Sequence, residues 1–248
     1  MKNNAQKILL LLFGLSAQPP VLLTKNQLMA AVPDMTAGGF RSLLRFLEQK
    51  GWLSKESISQ QQLISLTAQG KEALIARFPA LNSRWLTWKG EWQVLVFLSA
   101  PKTDPQFRYL RQLVLSHHCL QLSRGVYLAA GGFDQAVLVA CDSLYQHSVV
   151  IFSVANWDFG FDRPIISKYY DLASIASIYS SISSSIDQML ANFNENKLRT
   201  DQPKVSIATT IDRLCQVLKE DPGFTGYYFP GLLDLPVLLG KLRQLIKI

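Results

Sequence analysis

The chain has little cysteine and little histidine. Only 3 of its 248 residues are Cys and 3 are His. An odd number of widely spaced cysteines excludes a disulfide scaffold, and three histidines argue against a zinc enzyme. We therefore expect free thiols in the core of a cytoplasmic protein, no metal, no cofactor and no catalytic residue.

The sequence also lacks a long hydrophobic run. The run Ile8–Phe13 follows Lys2, and this combination resembles a signal peptide. It is too short to span a bilayer, which needs ~20 apolar residues. Leu15 stands where export would need a small residue, two positions before Ala17. We interpret residues 4–17 as a buried first helix, with export as the alternative, and expect no membrane partner.

Acidic residues are scarce in the first third of the chain. The whole chain carries a net charge of +7, and residues 1–90 hold 11 basic residues against 4 acidic ones. Residues 91–165 hold 5 against 6, and residues 166–248 hold 9 against 8. A local positive excess favours a polyanion partner such as DNA, although a solvated basic surface is the alternative.

Residues 1–80 show the patterns of a small DNA-binding domain. Thr24, Thr36 and Thr67 each precede a helical pattern and are suited to capping it. In the pattern over 36–50, four apolar residues recur at steps of three and four: Phe40, Leu43, Leu44 and Leu47. A hairpin pattern follows, with a return strand at Leu63–Leu66. Three helices, a two-stranded hairpin and a helix predict a winged helix-turn-helix whose helix 36–50 enters the major groove.

Residues 81–90 form a predicted connector, and residues 91–165 alternate strand and helix patterns. The segments are Trp92–Leu98, Asp104–Ser116, Cys119–Leu122, Val126–Ala129, Phe133–Leu144 and His147–Val154. This order of strand, helix, strand, strand, helix and strand predicts a ferredoxin-like domain. His147–Val154 has the clearest pattern of a buried strand. With a helical domain predicted at 166–248, the fold class is α+β.

An apolar stripe marks the first helix of the predicted C-terminal domain. Its residues recur at steps of three or four: Ile175, Ile178, Ile182, Ile186 and Met189. Such a stripe either packs on its own chain or forms a subunit interface. Helix-turn-helix proteins share the two-fold symmetry of their operators, so we expect a homodimer.

Several segments, in their order along the chain, resemble one family of bacterial regulators. They are Phe40–Leu53, Leu66–Gly70, the strand opened by Trp92, Leu122–Tyr127, Tyr170-Asp171-Leu172 and Asp221-Pro222. Over nearly its full length the chain is similar to the PaaX-type repressors of phenylacetate catabolism. The resemblance implies a winged helix, a middle domain similar to the CRISPR adaptation endonuclease and a helical C-terminal domain. It also implies a dimer that releases DNA on binding an aryl-coenzyme A.

The candidate base-reading residues lie in the helix predicted at 36–50. Arg41 and Arg45 are four residues apart, and an arginine there can pair with O6 and N7 of guanine. The alternative is an exposed arginine on a solvated helix. Thr36 and Ser42 could bond phosphates or bases, but Thr36 could equally act only as a cap.

Other candidates would contact the DNA backbone or the minor groove. Lys50 and Lys55 are placed for phosphates and would carry no sequence information. Gln60 and Gln61 stand at the predicted wing tip, where they could touch the minor groove or simply form a soluble turn. This sequence departs from the family here, because the wing lacks arginines and Gly38-Gly39 opens the reading helix.

The predicted middle domain lacks the signature of a nuclease. Its first strand ends at Ser99, and no carboxylate follows until Asp104, whereas metal-dependent cleavage needs oxygen ligands. The adjacent His117 and His118 point apart on a helix or a strand. We expect a sequence-specific, dimeric DNA-binding repressor that a small molecule, by resemblance an acyl-coenzyme A, releases from a double-stranded operator. The alternative is a nucleic-acid-processing or RNA-binding protein that uses the middle domain.

Overall fold

The computed structural model describes residues 2–14, 19–58, 60–98, 105–194, 202–231 and 234–247. The protein is a mixed α+β chain with two antiparallel sheets. It forms two compact units: Met1–Trp85 with Leu172–Ile248, and Leu86–Asp171. No helix in the described ranges combines the length and the apolar character needed to cross a membrane.

Helix α1 (Asn3–Leu12) is buried over almost its whole length. Ala5 and the seven residues that follow it are all buried, and Ile8–Leu12 are at most 1% exposed. The prediction of a buried first helix is confirmed for this range. Leu15 and Ala17, on which the export alternative depends, lie outside the described residues.

Threonine caps begin three further helices of the first unit. Each threonine Oγ1 accepts a backbone N–H three residues ahead, at 3.3, 3.1 and 3.0 Å. The caps are Thr24, Thr36 and Thr67, and they begin α2 (Lys25–Met29), α3 (Ala37–Gln49) and α4 (Ala68–Arg77). A hydroxyl at this position satisfies an amide that has no partner within the helix. All three predicted caps are confirmed.

The first unit also contains a three-stranded antiparallel sheet. Its strands are β1 (Leu23–Thr24), β2 (Leu53–Ile58) and β3 (Gln61–Leu66), in the order β1-β3-β2. Leu53 pairs with Leu66, and Ile58 pairs with Gln61 beside the turn. The predicted hairpin is confirmed. Strand β1 was not predicted, since two residues are too few to show a period-two pattern.

The C-terminal segment adds four helices to the first unit: α8 (Leu172–Asn194), α9 (Gln202–Glu220), α10 (Thr225–Tyr228) and α11 (Leu235–Lys247). Helix α1 packs against both α9 and α11. The prediction placed 1–80 and 166–248 in separate domains, whereas the structure joins these segments in one unit. The start of the last helix, predicted near Leu232, lies outside the described residues.

The apolar stripe of α8 is covered by its own chain. Ile175, Ile182 and Ile186 are at most 5% exposed, and α8 packs against α9, α10 and α11. Of the two interpretations of this stripe, intramolecular packing is the one that the structure shows. The stripe therefore no longer supports a subunit interface.

The second unit contains a four-stranded antiparallel sheet in the order β5-β6-β4-β7. Its elements are β4 (Trp92–Phe97), α5 (Pro105–Ser116), β5 (Leu120–Ser123), β6 (Val126–Ala130), α6 (Gln135–Leu144), β7 (Val149–Val154) and the short α7 (Arg163–Ile166). The predicted order of strands and helices is confirmed. Asp104, the expected start of the first helix here, lies outside the described residues.

The prediction that β7 is a buried strand is wrong for one of its two faces. It forms one edge of the sheet and pairs only with β4. Val150 and Phe152 are exposed, whereas Val149 and Ile151 pack against the core of the unit. A continuous apolar run is typical of a strand that is buried on both faces, but it also occurs in an edge strand with one face exposed to solvent. The sequence pattern of β7 therefore did not reveal its place in the sheet.

Candidate nucleic-acid interface

The exposed face of α3 carries the predicted base-reading residues. Gly38, Arg41, Ser42, Arg45 and Gln49 are all exposed, and their spacing places them along one side of the helix. Phe40, Leu44 and Leu47 hold the opposite side in the core. Helix α3 therefore presents two arginines and a serine to solvent from a fixed position in the fold.

The N-terminal turn of α3 is ordered by its cap. The Thr36 Oγ1 accepts the Gly39 N–H at 3.1 Å, so this hydroxyl is already engaged in capping. The Arg41 Nε donates to the Ala37 carbonyl oxygen at 3.3 Å. This bond holds the arginine stem against the first turn. Of the two roles predicted for Thr36, the structure shows the capping role.

The two predicted phosphate-binding lysines have neighbours within the chain. Lys50 ends α3, and its Nζ lies 5.9 Å from the centre of the Phe46 ring. Lys55, in β2, forms an ion pair with Glu48, in α3. The Glu48 carboxylate offsets the charge of Lys55, so we expect Lys55 to attract phosphate more weakly than Lys50 does.

The two predicted wing glutamines lie at the turn between β2 and β3. Gln60 and Gln61 are exposed, and Gln61 pairs with Ile58 at the end of the hairpin. Gln60 has φ of 66°, a left-handed backbone conformation that residues other than glycine and asparagine rarely adopt. The hairpin therefore projects both amides from its tip, where a wing would meet the minor groove.

Not every basic residue of the first third contributes to an outer positive surface. Lys7 is 7% exposed, and its Nζ donates to the Asp212 Oδ2 at 2.7 Å. This ion pair between α1 and α9 neutralises the charge of Lys7, so Lys7 does not contribute to a positive outer surface. By contrast, Arg41, Arg45 and Lys50 are exposed.

A second feature of α3, an apolar groove along one side, was not predicted from the sequence. The helical period groups Leu43 with the apolar residues of α3, but Leu43 is only half-buried, and Phe46 is 46% exposed. Together with Gly39 they border an open apolar groove. The helical period shows that Leu43 is apolar, but it does not show that this side of α3 stays open among the described residues.

The second unit shows no arrangement suited to metal chemistry in the part that the structure describes. There, no three His, Cys, Asp or Glu side chains come together in a way that could hold a metal ion. The His117 Nδ1 lies 3.6 Å from the Asp134 Oδ2, whereas His118 is exposed with φ of 60°. Ser99 and Asp104, the positions considered for a nuclease carboxylate, lie outside the described residues.

Comparison with known proteins gives a distant structural likeness. No family model matches the chain, and no curated protein matches it. Among solved structures, the uncharacterised protein Rv0674 from Mycobacterium tuberculosis is 17% identical, with a TM-score of 0.46. The similarity covers 97% of this chain and 97% of that one.

Proposed function

We propose that this protein is a sequence-specific DNA-binding regulator that reads its operator with α3. The observation that carries this proposal is the exposed face of α3, where Arg41, Ser42 and Arg45 stand together. An arginine on such a face can form two hydrogen bonds with guanine in the major groove. The local excess of basic residues would supply the attraction to phosphate.

The arrangement around α3 supports a winged helix-turn-helix. Helix α2 precedes α3, and the β2–β3 hairpin follows it at once, with its glutamine-bearing tip exposed. In this class of domain the second helix of the pair lies in the major groove. We propose that α3 has that role and that the hairpin is the wing.

The second unit supports the proposal of a ferredoxin-like domain. Its sheet order, β5-β6-β4-β7, places the first and third strands of the unit side by side in the centre. A helix follows each of these two strands. With the resemblance to PaaX-type repressors, we propose a dimeric repressor that a small molecule releases from DNA.

A second candidate function rests on one observation in the second unit. Phe152 is 51% exposed on β7, on the sheet face opposite the helices. Exposed aromatic rings on a sheet are a common platform for the bases of single-stranded RNA. Binding of RNA in preference to duplex DNA, abolished by Phe152→Ala, would favour this alternative.

The proposal is tested by selecting genomic fragments with the purified full-length protein and measuring affinity at two salt concentrations. We expect the affinity for selected duplexes to fall by about tenfold or more between ~50 mM and ~200 mM salt, because cationic contacts release condensed counterions. Affinity that does not change with salt, or no enrichment of any sequence, would contradict it.

The Arg41→Ala substitution distinguishes recognition of specific bases from a general effect of positive charge on DNA binding. We expect this substitution to cost about 1–3 kcal/mol on the selected duplex and much less on random duplex. Arg108→Ala is the matched control, since it removes the same charge from an exposed position on α5. If both variants keep the wild-type ratio of specific to random binding, α3 is not the reading helix.

A further inference from the structure

An open apolar groove borders the N-terminal end of α1 and one side of α3. Its volume is about 610 Å³, and its lining includes Lys2, Met35, Gly39, Leu43, Phe46 and Trp52. Small-molecule sites in proteins have volumes of roughly 300–1,000 Å³ and mostly apolar walls. The size and the walls of the groove therefore suit a small organic molecule.

The aromatic walls favour a flat apolar group. Phe46 contributes a half-exposed ring from α3, and Trp52 contributes an indole from the segment that leads into β2. The flexible thioether of Met35 completes this side and can adapt to the shape of a ligand. An aromatic ring placed in the groove would be lined by aromatic side chains and would remove apolar surface from water.

The charge at the groove favours an anionic group on the same molecule. Lys2 is the charged residue among the described lining residues, and no acidic side chain belongs to that lining. A second cation, Lys50, lies 5.9 Å from the centre of the Phe46 ring. Glu48, a nearby acid of α3, is paired with Lys55.

The position of the groove connects it to the proposed reading face. Gly39, Leu43 and Phe46 lie at steps of four and three residues and so occupy one stripe of α3. The stripe that carries Arg41, Ser42 and Arg45 lies next to it on the same helix. A molecule in the groove would therefore contact the element that reads DNA.

We propose that this groove binds a small aromatic molecule with one carboxylate, and that its occupancy changes the affinity of α3 for DNA. The first half of the proposal needs only the groove, and the second half rests on the proposed function. An effector that binds differently to the free and DNA-bound forms must shift the equilibrium between them.

The first half is tested without DNA, by calorimetric titration of the full-length protein with naphthalene-2-carboxylate. We expect saturable binding at one site and weaker binding of the neutral naphthalene-2-carboxamide. Phe46→Ala should weaken binding of the carboxylate about tenfold, because it removes an aromatic wall. Phe159→Ala, which removes a fully exposed phenylalanine ring from the second unit, is the matched control and should bind like wild type.

Lys2→Ala tests the charge argument. We expect it to weaken binding of the carboxylate about threefold and to leave binding of the carboxamide unchanged, since a single exposed ion pair contributes modestly. No saturable binding to wild type, or equal losses in Phe46→Ala and Phe159→Ala, would overturn the assignment of the groove.

The second half is tested by repeating the DNA titration at saturating naphthalene-2-carboxylate. The factor by which the carboxylate changes the DNA affinity should equal the factor by which DNA changes the carboxylate affinity. Binding of the carboxylate without any change in DNA affinity would overturn the regulatory half. If wild type binds the carboxylate but no DNA, the proposed function fails and the groove assignment stands.

A second copy of the chain is the other occupant that the test can reveal. Sedimentation velocity of wild type and Phe46→Ala, each without ligand, distinguishes the two. We expect the same oligomeric state for both. A wild-type dimer that becomes a monomer in Phe46→Ala would overturn the small-molecule proposal and assign the groove to an interface between copies.

Discussion

Whether a glycine of the first unit can be replaced by alanine depends on the atoms that a new Cβ would meet. A Cβ at Gly70 would lie 2.3 Å from the Trp52 carbonyl oxygen and 2.7 Å from the Leu66 Cδ1. The same atom at Gly38 would meet nothing within 4 Å. Both glycines lie in helices, where alanine is ordinarily the more stable residue. Only the surroundings, and not the helix propensity, distinguish the two positions.

Alanine substitutions at these glycines should therefore have opposite signs. We expect Gly70→Ala to lower the free energy of unfolding by about 1–3 kcal/mol, because the close approach of α4 to the Trp52 backbone leaves no room for a methyl group. Gly38→Ala should raise it by up to ~1 kcal/mol. Urea unfolding at equilibrium measures both values. A stabilised Gly70→Ala variant would show that the two segments can separate at little cost.

Among the elements, α8 is tied to the loop after α9 by a buried polar network. The Asp221 carboxylate accepts the Tyr179 hydroxyl at 2.9 Å, the Gly223 N–H at 2.8 Å and the Thr225 hydroxyl at 2.7 Å. Burial raises the pKa of Asp221 above its usual 3.8, although these hydrogen bonds act to lower it. The folded protein thus binds the Asp221 proton more tightly than the unfolded chain does.

This network should make stability depend on pH in mildly acid solution. Because the folded pKa of Asp221 is raised, its ionisation destabilises the fold as pH rises through that value, and the cost is absent below 3.8. Asp221→Asn removes this titration. It should also lower the free energy of unfolding by about 1–3 kcal/mol at pH 7, since the amide nitrogen cannot accept the hydrogen bonds that the carboxylate accepts.

We therefore expect the difference in stability between wild type and Asp221→Asn to grow as the pH falls from 7 towards 4. Urea unfolding at several pH values measures it. The control is Asp234→Asn, at the exposed cap of α11, because asparagine caps a helix as well as aspartate does. A difference that stays constant or shrinks with falling pH would show that Asp221 is not the titrating group.

At the scale of the whole molecule, the first unit is discontinuous in sequence. Ile8–Leu12 of α1 are at most 1% exposed, and the α9 and α11 helices that help to cover them come from the other end of the chain. The Lys7–Asp212 ion pair also joins α1 to α9. The second unit is a single continuous segment with its own apolar core, built around Leu95, Tyr127 and Val137.

Two fragments should therefore fold differently. We expect residues 86–171 to unfold cooperatively by themselves, because their core is made within the segment. Residues 1–90 should not form a cooperative fold, since without α9 and α11 the surface of α1 would be open to water. Circular dichroism during thermal unfolding measures both. A cooperative transition in residues 1–90 would show that the C-terminal helices are dispensable.

The local pattern of the sequence was sufficient to predict most helices and strands of this protein. Thr36 and Thr67 act as caps because a hydroxyl satisfies the amide three residues ahead whatever surrounds the helix. The β2–β3 hairpin and the strands and helices of the second unit follow in the same way from periods of two and 3.6 residues. The exposed face of α3 was predictable too, since Phe40, Leu44 and Leu47 define the opposite side.

Contacts between distant segments were decided by the tertiary structure alone. No local pattern indicates that Lys7 pairs with Asp212, that Lys55 pairs with Glu48, or that the groove beside Leu43 stays open. The edge position of β7 and the union of the two chain ends in one unit were likewise decided by the tertiary structure. A pattern reports which side of an element is apolar, whereas only the packed fold chooses which element covers that side or leaves it to solvent.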